Sequence, residues 1–246
     1  MKKEKSPSKR LVIAHRGEHE LAPENTIRAC QLAIDQGATA VEVDVRLCGS
    51  GDLVLFHDNL LHRHFGKWKH VAFTSFDEMK SYTFAKNHYQ HADRVYKLSE
   101  FIEEFKNKLP INLDIKTSYS NLPILAKKII REVKKQNISD QVWISSFNPV
   151  FLKIFKAMES GLRTGYLFRN LLTMHTMFDI FLKSDAWHPH YKVLTEHFFD
   201  LAKKWNKEVY IWTVNNERVL DKLESYSFEG IITDKLFRND LSSRGF

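Results

Sequence analysis

Apolar residues fall along this chain in short extended runs, separated by stretches in which they recur with helical spacing. Leu11 to Ala14 reads as a strand. Ile27, Ala29, Cys30, Ala33 and Ile34 then repeat on one helical face, with Pro23-Glu24-Asn25 predicted to open the helix and Gly37 to stop it. Ala40 to Val45 is a second strand in which Val41, Val43 and Val45 alternate with Glu42 and Asp44, so one face is apolar and the other acidic. Leu53 to Phe56 is extended as well. Only Leu47 to Asp52 separates it from the previous strand, with Gly49-Ser50-Gly51 as turn chemistry. A parallel crossover needs about a dozen residues or more, so these two runs form a hairpin-like excursion that returns His57 towards the acids.

Residues 59 to 97 have weak periodicity. Ser75-Phe76-Asp77-Glu78 reads as a capping box for a short helix, and the region is expected to be an insertion or lid without a core of its own. Leu98 to Phe105 reads as a helix with Phe101, Ile102 and Phe105 on one face. From Ile111 onward, strands and helices alternate. Strands are predicted at Ile111–Ile115, Val142–Ser145, Arg163–Phe168, Ser184–Trp187, Val209–Val214 and Gly230–Thr233. Helices are predicted near Leu122–Lys134, Pro149–Glu159, Asn170–Leu182, Glu196–Trp205 and Asn216–Ser225. Together with Leu11 and Ala40 this makes eight strand starts, the pattern of a parallel sheet covered by helices and closed as a (β/α)8 barrel. The expected organisation is a basic disordered tail over residues 1–10 and one barrel domain over 11–246, with 58–97 inserted after the His57 strand.

Composition narrows the class. The chain has 246 residues, 43% of them hydrophobic, enough for one large α/β core. It contains no run of about 18 apolar residues of the kind a membrane span needs, and no signal-type stretch follows Met1 to Arg10, so a cytoplasmic location is expected. Cys30 and Cys48 have no metal-ligand or redox spacing and read as free thiols. The formal net charge is +7, but Lys2, Lys3, Lys5, Lys9 and Arg10 against Glu4 place most of that excess in the tail. A nucleic-acid partner is not expected, because charge alone would support it and no recognition motif is present.

Four fragments carry the candidate chemistry: His15-Arg16-Gly17, Glu42-Val43-Asp44, His57-Asp58 and Asp114-Ile115-Lys116. Each sits at or just past the end of an apolar run, where barrel enzymes hold their active sites. Glu42 and Asp44 share one strand face, and two such carboxylates need a cation between them to stay ionised. With Asp114 they make an oxygen donor set that suits one divalent cation, Mg²⁺ or Ca²⁺. His15 and His57 are the acid–base candidates, because imidazole titrates nearest neutrality. Arg16 and Lys116 are candidate phosphate-binding cations, Arg as a two-pronged donor and Lys as a point charge. Lys116 has the same strand parity as Asp114, and Gly17 allows close backbone approach. Phe147 and Trp212, also at strand ends, are candidates for an aromatic floor beneath a glycerol or lipid-like group.

At these residues the chain resembles the glycerophosphodiester phosphodiesterase family. The resemblance runs from Ile13 to Asp234 through AHRG (14–17), APENT (22–26), VEVDV (41–45), HD (57–58), NLDIK (112–116), SSFN (145–148), GYL (165–167), HPHY (188–191), WTVN (212–215) and GIITD (230–234). It implies a TIM barrel with a small subdomain inserted after His57. It also implies a metal held by Glu42, Asp44 and Asp114, a catalytic pair His15 and His57, and phosphate-facing Arg16 and Lys116. The implied activity is metal-dependent hydrolysis of glycerophosphodiesters to sn-glycerol 3-phosphate and an alcohol, with a small-molecule or lysolipid phosphodiester as substrate. One position departs from the family: the third acid is usually Glu, and Asp114 is shorter by one carbon–carbon step, about 1.5 Å. Two other readings stand beside this one. A lysophospholipase D or sphingomyelinase D-like enzyme would use the apolar stretch Leu167–Leu182 to meet an acyl chain or a membrane surface, and a non-catalytic metal-binding barrel would keep the fold without turnover. The alcohol moiety and the oligomeric state are not readable from the sequence.

Overall fold

The computed structural model describes residues 9–84, 92–170, 178–179, 181–236 and 246. Nine strands are described: β1 (Leu11–His15), β2 (Ala40–Leu47), β3 (Leu53–Leu55), β4 (Ile111–Ile115), β5 (Val142–Ser146), β6 (Arg163–Phe168), β7 (Ala186–Pro189), β8 (Glu208–Ile211) and β9 (Gly230–Thr233). Eight of them are parallel neighbours in the order β1-β9-β8-β7-β6-β5-β4-β2, and a β1–β2 pairing closes the ring. The fold is a closed (β/α)8 TIM barrel. The short β3 pairs antiparallel with the end of β2, Val45 opposite Leu55, as the short connection required.

Five of the described helices form where the sequence supplies both a cap and an apolar stripe. Thr26, Asn121, Asn148, Thr195 and Asn216 each turn a side-chain oxygen to a first-turn N–H of the helix that follows. The helix at Leu122–Lys135 buries Leu125, Ala126, Ile129 and Val133, and the helix at Pro149–Met158 buries Phe151, Leu152 and Phe155. These stripes meet the outward side chains of the strands, Val41, Val43, Leu113 and Ile144 among them, in one continuous core. Each such side chain stabilises the fold by about 1.5–3 kcal/mol.

The inward side chains fill the barrel's lower half. Ile13, Ala40, Trp143, Ala186, Tyr210 and Ile232 pack together there, with the Trp143 and Tyr210 rings stacked at 5.2 Å. His188 enters from β7, fully buried, and its Nε2 accepts the Trp143 indole N–H at 3.2 Å. Gly165 on the next strand makes room for that ring, since a Cβ there would lie 2.4 Å from His188 Nε2. The filled interior leaves the C-terminal mouth as the place for chemistry.

Three expectations need correction. Pro23-Glu24-Asn25 does not open a helix; it is a turn with Asn25 at φ 60°, and the helix begins at Ile27 behind the Thr26 cap. The region after His57 does contribute to a small core, one that it shares with the hairpin. Leu61, Val71, Phe76, Met79, Phe84 and Val95 bury themselves against Cys48, Val54 and Phe56 of the hairpin. Ser184 precedes β7 instead of opening it, because its hydroxyl and N–H are held by the buried Asp179 carboxylate. The Ser75 hydroxyl caps Phe76–Ser81 by accepting Glu78 N–H, as expected. The helix expected near Asn170–Leu182 falls largely outside the described residues, though Phe178–Asp179 and Phe181–Leu182 are helical. Residues 1–8 of the expected tail also lie outside them.

His188 makes the fold sensitive to acid. Burial, aided by Arg163, pushes its pKa down to about 3. The unfolded imidazole titrates near 6.5, so the unfolded chain takes up the proton first and stability falls as pH drops from about 6.5 towards 3. Urea unfolding at pH 7 and pH 5 should therefore show a loss for the wild type that exceeds the loss for His188→Gln by about 2 kcal/mol. Equal losses would show that the buried imidazole is not the linked group.

Candidate active site

Strand register brings the sequence-predicted acids together. In the β1–β2 ladder His15 stands beside Glu42, and in the β2–β4 ladder Asp44 stands beside Asp114. Neighbouring strands lie about 4.8 Å apart, and oxygens of Glu42, Asp44 and Asp114 all lie within 4.8 Å of one another. All three residues are buried. The missing methylene of Asp114 does not remove it from the cluster.

Two cations and one amide oppose this buried charge. Lys116 Nζ lies 2.5 Å from Asp114 Oδ2 and 2.8 Å from Asp44 Oδ1. Arg16 Nε lies 3.0 Å from Asp44 Oδ2, and its Nη1 donates to Glu24 Oε1 at 3.2 Å. Asn25 grips Asp44 from both ends: its Nδ2 donates to Asp44 Oδ2 and its Oδ1 accepts Asp44 N–H, each at 2.8 Å. Burial opposes ionisation of Asp44, but Lys116 and Arg16 outweigh it and hold this carboxyl well below the usual range. Glu42 goes the other way. Burial first, then Asp44 and Asp114, push it well above its ordinary value. Burial also raises Asp114 despite Lys116. Asp114 Oδ1 is buried without a hydrogen-bond partner. The cluster thus holds more negative charge than its neighbours neutralise. An all-oxygen donor set in that condition fits a hard divalent cation, with Glu42, Asp44 and Asp114 as its holders.

Each candidate histidine has a carboxylate on Nδ1. His15 Nδ1 lies 2.6 Å from Asp234 Oδ1, and its Nε2 lies 4.0 Å from Glu42 Oε2. His57 Nδ1 lies 2.7 Å from Asp58 Oδ1. A carboxylate there fixes the ring and keeps the proton on Nδ1, which leaves Nε2 as the working nitrogen. Asp234 is itself fixed, by Asn215 Nδ2 at 2.6 Å and by His19 Nε2 at 3.0 Å. Asp58 is fixed by Arg63 Nε at 2.5 Å, and Arg63 also donates to both oxygens of Glu24. Arg63 thereby ties the inserted helix His62–Phe65 to the residues beside Arg16 and His57. Gly17, at φ +81°, lets the chain pass close to the helix at Ala29, where a Cβ would meet backbone at 2.5 Å.

The opposite side of the mouth is aromatic. Phe147 follows β5 and Trp212 follows β8, with their rings edge-to-face at 5.4 Å. Arg169 lies over both, 5.4 Å from Phe147 and 5.2 Å from Trp212, and Lys116 Nζ is 5.9 Å from Phe147. All the candidate residues named from the sequence therefore lie around one mouth, Arg16 and Lys116 with their charges turned to carboxylates. Sequence reasoning missed seven others, Arg63 and Arg169 among them. Asp234 could have been found, since it follows the apolar run Gly230–Thr233 as His15 follows Leu11–Ala14. Glu24 and Asn25 were hidden by reading their turn as a helix start, and His19 and Asn215 reach the site through Asp234, His19 also standing edge-on to the His15 ring at 6.4 Å.

A family model described as the glycerophosphoryl diester phosphodiesterase family matches residues 15–237. The chain belongs to this family. It is accordingly a phosphodiesterase, a hydrolase of phosphoric diesters. It is similar to a glycerophosphodiester phosphodiesterase of Caldanaerobacter subterraneus subsp. tengcongensis, with 30% identity over 92% of this chain and 94% of the other. Among solved structures it is similar to an Oleispira antarctica phosphodiesterase in complex with the product sn-glycerol-3-phosphate, with a TM-score of 0.86 and 26% identity, over 96% of each chain. A Silicibacter pomeroyi protein at 19% identity shares the fold, with a TM-score of 0.85 over 98% of this chain and 96% of that one.

Asn25 holds the phosphodiesterase site through two buried hydrogen bonds and a left-handed backbone, so it can be tested on both counts. Asn25→Ala should destabilise the protein by about 2–4 kcal/mol in urea unfolding, since it strands Asp44 and strains the turn. Asn25→Gly should recover the backbone part and leave the hydrogen-bond part, giving an intermediate value. A neutral Asn25→Ala substitution would mean that the clamp does not hold Asp44.

Proposed function

We propose that this phosphodiesterase hydrolyses glycerophosphodiesters to sn-glycerol 3-phosphate and an alcohol, using one divalent cation, Mg²⁺ or Ca²⁺, held by Glu42, Asp44 and Asp114. The observation that carries this reading is the conjunction at one barrel mouth of three buried carboxylates with two histidines, each backed by a carboxylate. When bound, the cation would polarise the phosphoryl oxygens and lower the pKa of the attacking hydroxyl.

The residues of the chain supply the rest. One histidine takes the proton of the nucleophile, either the glycerol 2-hydroxyl or water, as its oxygen bonds to phosphorus. The other histidine gives a proton to the alcohol oxygen as the second phosphorus–oxygen bond breaks. If the 2-hydroxyl attacks, a cyclic phosphate forms and water opens it by the same two proton transfers in reverse order. Asp234 and Asp58 orient the two rings and stabilise the imidazolium each becomes in turn. Arg16 and Lys116 stabilise the charge that grows on the remaining phosphoryl oxygens. The segment 58–97 acts in this reading as a lid, supported by the Arg63 bridge from its helix to Asp58 and Glu24. The lysolipid alternative rests on Leu167–Leu182, half of which lies outside the described residues, and it gains no support from the site.

Purified protein with Mg²⁺ or Ca²⁺ should release glycerol 3-phosphate from a panel of glycerophosphodiesters, and a chelator should abolish release until the cation is restored. His15→Ala and His57→Ala should each lower kcat by about 10²–10⁴ with little change in KM. Full activity in chelator, or in either variant, would overturn the mechanism. Cation binding without turnover on any member of the panel would favour the non-catalytic barrel.

A further inference from the structure

The mouth of this barrel is electrically divided. The carboxylate cluster stands on β2 and β4, whereas the ends of β6, β7 and β8 carry cations and aromatic rings. Between Arg169, Asn170, His190, Lys192, Val193 and Trp212 lies a cavity of about 530 Å³. That is far more room than a three-carbon polyol needs and falls within the usual range for a larger organic ligand.

The lining has a definite sign. Arg169 lies 5.2 Å over Trp212, one wall of the cavity, and 5.4 Å over Phe147, whose ring is also 5.9 Å from Lys116 Nζ of the acid cluster. The cavity is thus joined to the reaction site through one pair of rings. His190 packs edge-to-face on Trp212 at 4.9 Å, and its Nδ1 accepts Lys192 N–H at 3.2 Å. That bond places the neutral ring's proton on Nε2, which is then a donor. Among the described residues, neither Arg169 nor Lys192 has a carboxylate partner at ion-pair distance. This differs from Arg16, Arg63 and Lys116, which all do. The charged groups acting on His190 are Lys192 and Arg169, and both are cations. Among the described residues the space therefore offers two positive charges without a carboxylate partner, a ring donor, an amide and an aromatic wall, with no anion among its lining residues.

We propose that this cavity binds the alcohol part of the substrate and selects alcohols that carry an anion of their own, a second phosphate group above all. The proposal rests on the hydrolysis proposed above and names its substrate class. The scissile phosphate would lie at Arg16 and Lys116, and the glycerol and alcohol arms would extend from it. Glycerol is neutral and small, so the roomy cationic cavity matches the other arm. A second phosphate would meet Arg169 as a two-pronged donor and Lys192 as a point charge. A quaternary ammonium or primary amine would meet two like charges. Trp212 would pack against the carbon skeleton between the two phosphates.

Two arms test this with the full chain. In the kinetic arm, kcat/KM is measured with Mg²⁺ at low salt for glycerophosphoglycerol phosphate, which has an anionic alcohol, and for glycerophosphocholine, which has a cationic one. The wild type should favour the anionic diester by about tenfold or more, and the ratio should fall at least fivefold in Arg169→Gln/Lys192→Gln, with the change in KM. It should also shrink on raising salt. In the binding arm, the cation-free protein is titrated with glycerol 2-phosphate by calorimetry, and the double variant should bind at least fivefold more weakly than the wild type. A wild type that prefers glycerophosphocholine, or a variant that leaves both the ratio and the binding unchanged, would overturn the proposal. If no diester is hydrolysed at all, the hydrolysis reading fails, while the binding arm still decides whether the cavity takes a phosphate.

Discussion

Three carboxylates buried on adjacent strands are the constraint around which this barrel's mouth is built. Glu42, Asp44 and Asp114 are all buried with oxygens within 4.8 Å of one another. Unopposed charges in such a place would be neutralised by protons or would unfold the region. Much of the surrounding structure reads as an answer to that problem. Lys116 reaches back from the end of β4, Arg16 crosses from the end of β1, and Asn25 is held in a left-handed turn so that its amide can meet Asp44 at two points. Glu42 and one oxygen of Asp114 are left without full compensation, and there the protein is shaped for a further positive charge.

The barrel makes this arrangement reproducible. Parallel register sets His15 beside Glu42 and Asp44 beside Asp114, and the two-residue period of a strand turns all of them inward. The lower interior is filled by Trp143, Tyr210 and His188, so the polar layer has only the C-terminal mouth to open into. The same logic distributes function around the rim of this glycerophosphodiester phosphodiesterase family member. Among the described residues the carboxylate cluster occupies β2 and β4, aromatic rings and cations without a carboxylate partner the ends of β6 to β8, and Phe147 stands where the halves meet. A helix of the inserted segment reaches both Asp58 and Glu24 through one guanidinium, so the segment's placement and that of His57 are mechanically linked.

Local pattern carried most of the fold. The alternation Val41-Glu42-Val43-Asp44-Val45 announces a strand with an acidic face, and the short Leu47–Asp52 connection forces the antiparallel β3. What local pattern could not carry is conformation fixed by distant contacts. Pro23-Glu24-Asn25 has helix-start composition, yet the bond from Asn25 to Asp44, 19 residues away, makes it a turn. Ser184 looks like the opening of a strand until Asp179 takes its hydroxyl and N–H. Residues 59–84 lack periodicity because their small core is shared with the hairpin, so apolar side chains need not repeat along any one element. The carboxylate cluster was legible because strand parity is a local property. The support behind it was less so, because Asp234 lies 219 residues from His15 and only barrel closure brings them together.

Calorimetric titration of the unmodified chain with Mg²⁺ and with Ca²⁺, beside Glu42→Gln and Asp114→Asn, reads the central constraint directly. One cation should bind per wild-type chain, and binding should weaken at least tenfold when either carboxylate loses its charge. Absence of binding to the wild type, or equal binding by all three proteins, would mean that the buried acids are balanced within the chain and that the mouth is built for something other than a metal ion.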